Sequence, residues 1–264
     1  MMTTGPNAKT VLVTGGAQRI GAAIVTRLAG RGHRVVIHYR RSEAEAGALQ
    51  QALASQGAQI WTVRADLSEP EAAHRLITSA AERAGTVVDG LVNSASLFDY
   101  DAPIALRPAL FDQVIQTNLR APIAFAEAMA GQAGLTDAAI VNVLDQKVAN
   151  LNPDFFSYTM SKVALEGATT MLAQALAPSV RVNAVSPGLT LTSHDQSEVE
   201  FAAVSRENLL GRPVALADIA SAVTMLLEND SVTGQNIFVD CGQRFITRSR
   251  DVMFAARDRA LDRG

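Results

Sequence analysis

The chain has 264 residues, of which 48% are hydrophobic, and its formal net charge is −3. This length predicts one well-buried domain, and the scattered basic residues form no cluster of the kind that binds nucleic acid or an anionic membrane. The single cysteine, Cys241, excludes an internal disulfide, and no apolar run reaches the roughly 18 to 20 residues of a membrane span. Because the N-terminus also lacks an apolar signal stretch, we expect a cytoplasmic protein.

Short β-branched segments alternate with longer, alanine-rich amphipathic segments. Strands that alternate with helices form parallel sheets covered by helices on both faces. The pattern therefore predicts an α/β fold: a Rossmann-type, doubly wound parallel sheet of about seven strands in a single domain, residues 9–243. Residues 1–8 are expected to be a flexible tail and residues 244–264 a charged extension. The predicted strands are Thr10–Val13, Arg34–His38, Gln59–Val63, Asp89–Asn93, Ala139–Leu144, Val180–Val185 and Asn236–Val239.

A glycine-rich turn follows the first predicted strand. It contains Gly15 and Gly21 and opens a helix on which Ile20 begins an apolar stripe. Glycines at such a turn let the backbone approach a pyrophosphate, which lies against the positive end of the helix. Arg19 places a cation at that helix start, which is unfavourable unless an anion is bound nearby. The turn predicts a dinucleotide site.

The second predicted strand is followed by Tyr39, Arg40, Arg41 and Ser42, without an acidic residue. An acid at this position binds the ribose 2′-hydroxyl of NAD, whereas arginine accommodates the 2′-phosphate of NADP. Two guanidinium groups and a hydroxyl suit a dianionic phosphate, so NADPH is the predicted cofactor. The alternative is that both arginines are only the solvated start of the next helix.

A capping box is predicted farther along the chain. Ser68 is followed three residues later by Glu71, with Pro70 in the expected first turn. This spacing is typical of a helix start.

Asp145 follows directly after the fifth predicted strand, and no serine or threonine lies between Ile140 and Phe156. An ionised carboxylate only accepts hydrogen bonds, so it favours a ligand that presents N–H groups. The alternative is that Asp145 only caps a turn.

Tyr158 and Lys162 are four residues apart in the predicted helix 156–177, so their side chains share one face. A nearby ammonium favours the phenolate and lowers the tyrosine pKa, which makes the pair a tunable proton donor. On its own, a tyrosine four residues before a lysine is more often a surface feature of a helix. Here it accompanies the sequence features that predict a dinucleotide site. The polar stretch after Ser186 predicts a substrate loop at about residues 189–207.

From about Thr10 to Gly242 the chain resembles the short-chain dehydrogenase/reductase family. The resemblance implies that Asp66 and Leu67 flank the adenine, that Lys162 holds the nicotinamide ribose, and that Asn118 anchors a water in a proton relay. The segments expected to contact the cofactor include Asn93, Ser94 and Ala95 after the fourth strand, and Pro187, Gly188, Leu189 and Thr190 after the sixth.

Three departures from the general pattern are similar to the pteridine reductases and dihydromonapterin reductases. Arg19 replaces the third glycine, Ser96 and Phe98 fall in an altered tract after Asn93, and Asp145 stands where the family has a serine. In that branch the pterin ring lies between the nicotinamide and the residue matched by Phe98. The alternative is that Phe98 packs as an ordinary lid residue.

The sequence thus predicts an NADPH-dependent reductase of a pterin or dihydropterin, such as dihydromonapterin or dihydrobiopterin, with weaker action on dihydrofolate. Asp145, Tyr158, Lys162 and Asn118 are the predicted catalytic residues, and Arg19, Ser96, Phe98, Asp145 and Tyr158 the predicted substrate contacts. Asp145 is expected to accept a hydrogen bond from Tyr158 or from the ligand, and to oppose tyrosinate formation. The rivals are a carbonyl reductase for a ketoacyl thioester, sugar or other ketone, and a non-catalytic NADPH sensor. No metal is predicted, and the resemblance implies a homotetramer.

Overall fold

Seven parallel strands form one sheet in a computed structural model that describes residues 8–192 and 197–254. The order across the sheet is β3-β2-β1-β4-β5-β6-β7, so the direction in which successive strands are added to the sheet reverses between β1 and β4. In open α/β sheets ligands bind outside the carboxyl ends of the strands at such a reversal. The strands are β1 (Thr10–Thr14), β2 (Arg34–Tyr39), β3 (Ile60–Arg64), β4 (Gly90–Asn93), β5 (Ala138–Val143), β6 (Val180–Pro187) and β7 (Asn236–Val239).

Helices cover both faces of the sheet. Helices α1 and α8 pack on one face with α2 at its edge, and α3, α5 and α6 pack on the other. The fully buried Leu12 and Val13 of β1 point to opposite faces, so each face has its own apolar core. The helices are α1 (Arg19–Gly30), α2 (Glu43–Ala54), α3 (Ala72–Ala84), α4 (Pro108–Ile115), α5 (Ala121–Ala130), α6 (Phe156–Leu176), α7 (Glu198–Val204) and α8 (Leu216–Glu228).

This architecture confirms the predicted fold class, and the ends of the observed strands differ from the predicted ones by at most two residues. Buried apolar runs between helices are sufficient to specify a parallel sheet. None of the helices in the described ranges combines the length and apolar character that a membrane crossing requires.

The predicted capping box at Ser68 and Glu71 is wrong. Helix α3 begins only at Ala72, and Glu71 precedes it in a left-handed conformation. Ser68 instead donates through its backbone N–H and its hydroxyl to Oδ1 of Asp66, at 3.0 and 2.7 Å. A local carboxylate therefore competes successfully for the groups that a helix cap would use.

The predicted substrate loop contains a helix. A capping box between Ser197 and Glu200 starts α7, which ends at Val204. Residues 193–196 of this loop lie outside the described part of the chain, as do residues 1–7 of the predicted tail and residues 255–264 of the predicted extension.

Candidate active site

A cavity of about 600 Å³ lies at the carboxyl ends of the strands, where the sheet order reverses. It has a cofactor half, formed by the turn after β1 and the end of β2, and a substrate half around Tyr158. The predicted site residues that line it are Gly15, Arg19, Ile20, Gly21, Tyr39, Arg40, Arg41, Ser42, Ser94, Ala95, Ser96, Phe98, Asp145, Tyr158, Lys162, Pro187, Gly188, Leu189 and Thr190.

Four predicted residues lie elsewhere. Asp66 lines an adjoining depression together with Arg40 and Arg41. Leu67 is buried in the core beside it. Asn93 is buried beneath the cavity, where its Nδ2 donates to Oδ1 of Asn142 at 2.8 Å. Asn118 is also buried and does not line the cavity.

The turn after β1 has no room for side chains at its glycines. A Cβ on Gly15, whose φ is +62°, would lie 2.9 Å from Cα of Ala95, and a Cβ on Gly21 would lie 2.1 Å from the Gly15 carbonyl oxygen. The Gln18 side chain does not cap the first turn of α1. The N–H groups at this helix start are therefore suited to the pyrophosphate of a dinucleotide.

His38 holds this turn from behind, a role that the sequence did not reveal. Its Nδ1 accepts a hydrogen bond from the Gly15 N–H at 3.2 Å, and its Nε2 lies 3.2 Å from the Ala65 carbonyl oxygen. Burial lowers the pKa of His38 to about 4, so the ring is neutral at physiological pH. The tautomer with its proton on Nε2 satisfies both contacts and ties β1, β2 and β3 together at the cofactor half.

The end of β2 supplies the predicted phosphate-binding cations. Nη1 of Arg40 lies 3.9 Å from Oδ2 of Asp66, and both side chains are more than a third exposed. Hydrogen bonding by the Ser68 backbone lowers the pKa of Asp66 against the effect of burial, and the two arginines add to the lowering. Because the Arg40 contact is long and exposed, it leaves both guanidinium groups suited to a phosphate.

Arg19 lines the cavity at the start of α1 and reaches the loop after β6. It has a φ of +54°, which is uncommon for a residue with a side chain, and its Nη2 donates to the Thr192 carbonyl oxygen at 2.9 Å. The arginine thus connects the turn after β1 with the loop after β6. Its predicted contacts with phosphate and substrate stay predictions.

Asp145 has one partner for each carboxylate oxygen. Tyr158 donates its hydroxyl proton to Oδ2 at 2.8 Å, and the Lys147 backbone N–H donates to Oδ1 at 2.9 Å. The second bond caps a single 3₁₀ turn, Gln146–Ala149. The two interpretations of Asp145, tyrosine partner and turn cap, therefore both hold, each through its own oxygen.

The pKa of Tyr158 is raised well above its usual value, first by burial and then by the neighbouring Asp145. The predicted lowering of this pKa by Lys162 is wrong, because the ammonium lies 5.6 Å from the tyrosine ring centroid and donates to the Val143 carbonyl oxygen at 2.7 Å. The expected opposing effect of Asp145 acts in the predicted direction. Tyr158 is therefore a protonated donor at neutral pH.

Two other titratable groups at this centre are shifted by burial. Burial lowers the pKa of Lys162 to about 8, against the raising effect of Asp145. Burial also raises the pKa of Asp145, opposed by its hydrogen bonds with Lys147 and Tyr158. Perturbed groups that converge in one cleft are typical of catalytic sites.

Asn118 fixes the segment that carries Phe98. It lies in a π-helical turn, Gln116–Arg120, and its side chain accepts from the Leu97 N–H at 2.8 Å and donates to the Leu97 carbonyl oxygen at 3.0 Å. Its Nδ2 also lies 3.2 Å from Oγ of Ser161. The predicted water relay to Lys162 stays a prediction.

Phe98 is held in an aromatic group. Its ring stacks on the buried Phe155 with centroids 4.2 Å apart, and it meets Tyr158 edge-on at 4.7 Å. The Phe98 side chain is still 38% exposed. Both predicted roles, stacking on a ligand and packing as a lid, are compatible with this position.

Several lining residues escaped the sequence analysis. Gln243 accepts from the Leu189 N–H through Oε1 at 2.8 Å and so holds the segment after β6. Asp251, Val252 and Met253 line the substrate half, although they lie close to the C-terminus. No motif marks these residues, and only their contacts identify them.

Comparison with known proteins agrees with this geometry. A family model described as enoyl-(acyl carrier protein) reductase matches residues 15–244. The chain belongs to the short-chain dehydrogenase/reductase family. It is an oxidoreductase, as the sequence predicted.

The similar proteins differ in their substrates. A crystal structure of FolM alternative dihydrofolate reductase 1 from Brucella suis, in complex with NADP, is 42% identical, with a TM-score of 0.88 and coverage of 93% of this chain and 98% of the other. Pteridine reductase 1 of Leishmania tarentolae is 32% identical, covering 91% and 98%. The granaticin polyketide synthase putative ketoacyl reductase 2 of Streptomyces violaceoruber is 33% identical, covering 93% and 100%.

Proposed function

We propose that the protein reduces a C=N bond of a pterin or dihydropterin, such as dihydromonapterin or dihydrobiopterin, using NADPH. The coarser activity is that of an NADP-dependent reductase, which the family and its NADP-bound relatives establish. The observation that carries the substrate class is the Asp145 carboxylate, which accepts a hydrogen bond from the Tyr158 hydroxyl at 2.8 Å. A carboxylate beside the proton donor suits a ring that carries N–H groups better than it suits a ketone.

The residues of the cofactor half fit a phosphorylated dinucleotide. The turn around Gly15 and the start of α1 would hold the pyrophosphate, and Arg40, Arg41 and Ser42 would hold the 2′-phosphate. When bound, NADPH supplies the hydride that reduces the ring carbon of the C=N bond.

The proton for the ring nitrogen is assigned to Tyr158. Its raised pKa keeps the hydroxyl protonated, and the O–H must turn away from Asp145 toward the substrate to deliver the proton. The tyrosinate that results would lie beside a carboxylate, so it would take up a proton again readily. The proton it takes up would come from solvent, while Lys162, charged at neutral pH with a pKa of about 8 and held by the Val143 carbonyl oxygen, would bind the nicotinamide ribose.

The substrate half also provides a flat aromatic surface. Phe98 is partly exposed and is braced by the buried Phe155. Offset stacking of a heteroaromatic ring on Phe98 would add about 1 kcal/mol beyond area burial. The similarity to proteins named pteridine reductase and alternative dihydrofolate reductase supports the same substrate class.

Carbonyl reduction is the second candidate. Similarity to a putative ketoacyl reductase over 93% of the chain favours it, and Tyr158 with Lys162 could equally protonate a carbonyl oxygen. Under this alternative the substrate is a ketoacyl thioester, sugar or other ketone, and Asp145 serves mainly as a turn cap.

An assay of NADPH oxidation separates the two candidates. The wild-type protein is mixed with dihydropterins, dihydrofolate, a ketoacyl thioester and simple ketones at matched concentrations. We expect kcat/KM to be at least about tenfold higher for a dihydropterin than for any ketone, which corresponds to about 1.4 kcal/mol. Turnover of ketones alone would overturn the proposal. The proposal also includes a cytoplasmic location and a homotetrameric assembly. Light scattering on the purified protein measures its mass and so tests the tetramer.

A further inference from the structure

The end of the described chain lies on the substrate half of the site. Residues 246–254, here called the C-terminal strap, follow the 3₁₀ turn after β7. Val252 is 8% exposed and Met253 6% exposed, and Met253 forms a buried cluster with Phe155 and Tyr158. A segment that follows the last strand of a domain is normally mobile unless contacts with the rest of the domain hold it.

An ion pair holds the strap to the 3₁₀ turn Gln146–Ala149, which Asp145 caps. Nζ of Lys147 donates to Oδ2 of Asp251 at 2.8 Å, and the two side chains are only 4% and 13% exposed. The same ammonium donates to Oδ1 of Asn152 and to the Asp154 carbonyl oxygen, both at 3.1 Å. Three acceptors match the three N–H bonds of a lysine, so the cation is fully partnered in a buried place.

Further contacts fix the strap on both sides of this pair. Oδ2 of Asp154 accepts from the Asp251 N–H and from Nε of Arg250, both at 2.8 Å. The ring of Phe254 lies 5.1 Å from Tyr100, and Nδ2 of Asn150 donates to the Ile246 carbonyl oxygen at 2.9 Å. The strap is thus attached at several points rather than at one.

Lys147 also belongs to the catalytic centre. Its backbone N–H donates to Oδ1 of Asp145, whose other oxygen accepts from Tyr158. Asp251 is therefore connected to the proton donor through the Lys147 residue, whose side chain binds Asp251 and whose backbone N–H binds Asp145. Movement of the strap would alter both the substrate wall and the turn that positions Asp145.

We propose that Asp251 is a positioning residue, which through Lys147 holds the Asp145 turn and places Met253 against Tyr158 as a specificity-determining wall of the substrate site. The proposal rests on the reductase activity alone and not on the pterin assignment. It applies to whichever substrate the wild-type protein reduces best.

The test compares two variants, Asp251→Asn and Met253→Ala, with the control variant Arg31→Gln. The control breaks a partly exposed ion pair with Glu228 that lies beyond the C-terminal end of α1. Kinetics use the best substrate of the wild-type protein, and NADPH affinity is measured separately by fluorescence titration. For Met253→Ala we expect KM to rise about tenfold with kcat nearly constant, because the variant removes only a wall of the site. The kcat/KM ratio between a bulky and a compact substrate should also shift toward the bulky one by about fivefold.

For Asp251→Asn we expect both a higher KM and a kcat about tenfold lower, with an NADPH Kd within twofold of wild type. Asparagine keeps the size of the side chain but removes the charge that pairs with the Lys147 ammonium, so the turn that carries Asp145 loses its hold on the strap. Arg31→Gln should change none of these quantities. Thermal unfolding reports whether Asp251→Asn is folded, and if it is not, Met253→Ala alone decides.

Unchanged substrate KM and selectivity in Met253→Ala, or an equal loss of NADPH and substrate binding in folded Asp251→Asn, would overturn the proposal. Failure of the pterin assignment has a different signature, because the wild-type protein would then reduce only ketones.

Discussion

The two halves of the cavity are built in different ways. The cofactor half consists of backbone groups and side chains that each lie within a few residues of the end of a strand, such as Gly15 after β1 and Arg40 after β2. The substrate half brings together Phe98, Asp145, Tyr158 and Met253 from segments that are far apart in the chain. A nucleotide recurs throughout a family, so its site is local and repeated, whereas the substrate wall is assembled separately in each branch.

Removing the proton donor should have the largest effect, and only on the substrate half. Tyr158→Phe keeps the ring that packs with Phe98 and Met253 but loses the hydroxyl. We expect kcat to fall about 100- to 10,000-fold, the usual contribution of a general acid, with NADPH Kd unchanged. Steady-state kinetics and fluorescence titration check this. A kcat within tenfold of wild type would show that the proton has another source.

Neutralising the phosphate-binding cations should affect only the cofactor half. In Arg40→Gln/Arg41→Gln each lost hydrogen bond to a charged phosphate costs about 1.5 kcal/mol or more, so NADPH affinity should fall about 100-fold or more. NADH affinity should change little, since NADH lacks the 2′-phosphate.

The matched control is Arg27→Gln/Arg31→Gln, which removes one cation from the last turn of α1 and one from the residue that follows the helix, away from the cavity. It should leave both affinities unchanged. Equal losses for NADPH and NADH in the Arg40 and Arg41 variant would contradict the phosphate assignment.

Replacing Asp145 should lower the turnover of dihydropterins without changing the binding of NADPH. Asp145→Ser introduces the hydroxyl usual in the family, while Asp145→Ala leaves the Tyr158 hydroxyl without its acceptor. We expect kcat/KM for dihydropterins to fall about 10- to 100-fold in both variants, because a hydrogen bond with a charged group contributes about 1.5 to 3 kcal/mol. NADPH Kd should stay within twofold, and Asp145→Ser should gain activity toward ketones relative to pterins.

Asp137→Ser is the control for these variants, because Asp137 lies just before β5, at the strand end opposite Asp145, and pairs with Lys9. It should leave kcat/KM for dihydropterins and the activity toward ketones relative to pterins as in wild type. If Asp145→Ala turns over pterins as fast as wild type, Asp145 is only the cap of its turn.

The pH dependence should give the smallest effect. Lys162 has a pKa of about 8, so it loses its charge as pH rises through that value, and kcat should fall about tenfold for each unit beyond it. Asp145 raises this pKa, so Asp145→Asn should shift the alkaline limb to lower pH. A kcat–pH profile between neutral pH and a pH of about 10, over which Tyr158 with its raised pKa stays protonated, measures both. An alkaline limb that does not move in Asp145→Asn would mean that another group limits turnover.

Most of the fold and the cofactor half could be predicted because their signals are local. Buried β-branched runs, the turn around Gly15 and the arginines after β2 each follow from a few neighbouring residues. The capping box at Ser68 was wrong for the same reason, since the nearby Asp66 takes the hydrogen bonds that the motif would use. A short motif predicts poorly where two local partners compete.

The sequence by itself determined the parallel sheet, the nucleotide turn, and the presence of a carboxylate where the family has a serine. Only the tertiary structure decided that Asp145 divides its two oxygens between Tyr158 and Lys147, and that His38 supports the turn from behind. It also placed Asp251 and Met253 on the substrate side. These contacts join residues that the chain separates by up to about a hundred positions, and such pairs form only when the packed sheet and helices bring them together.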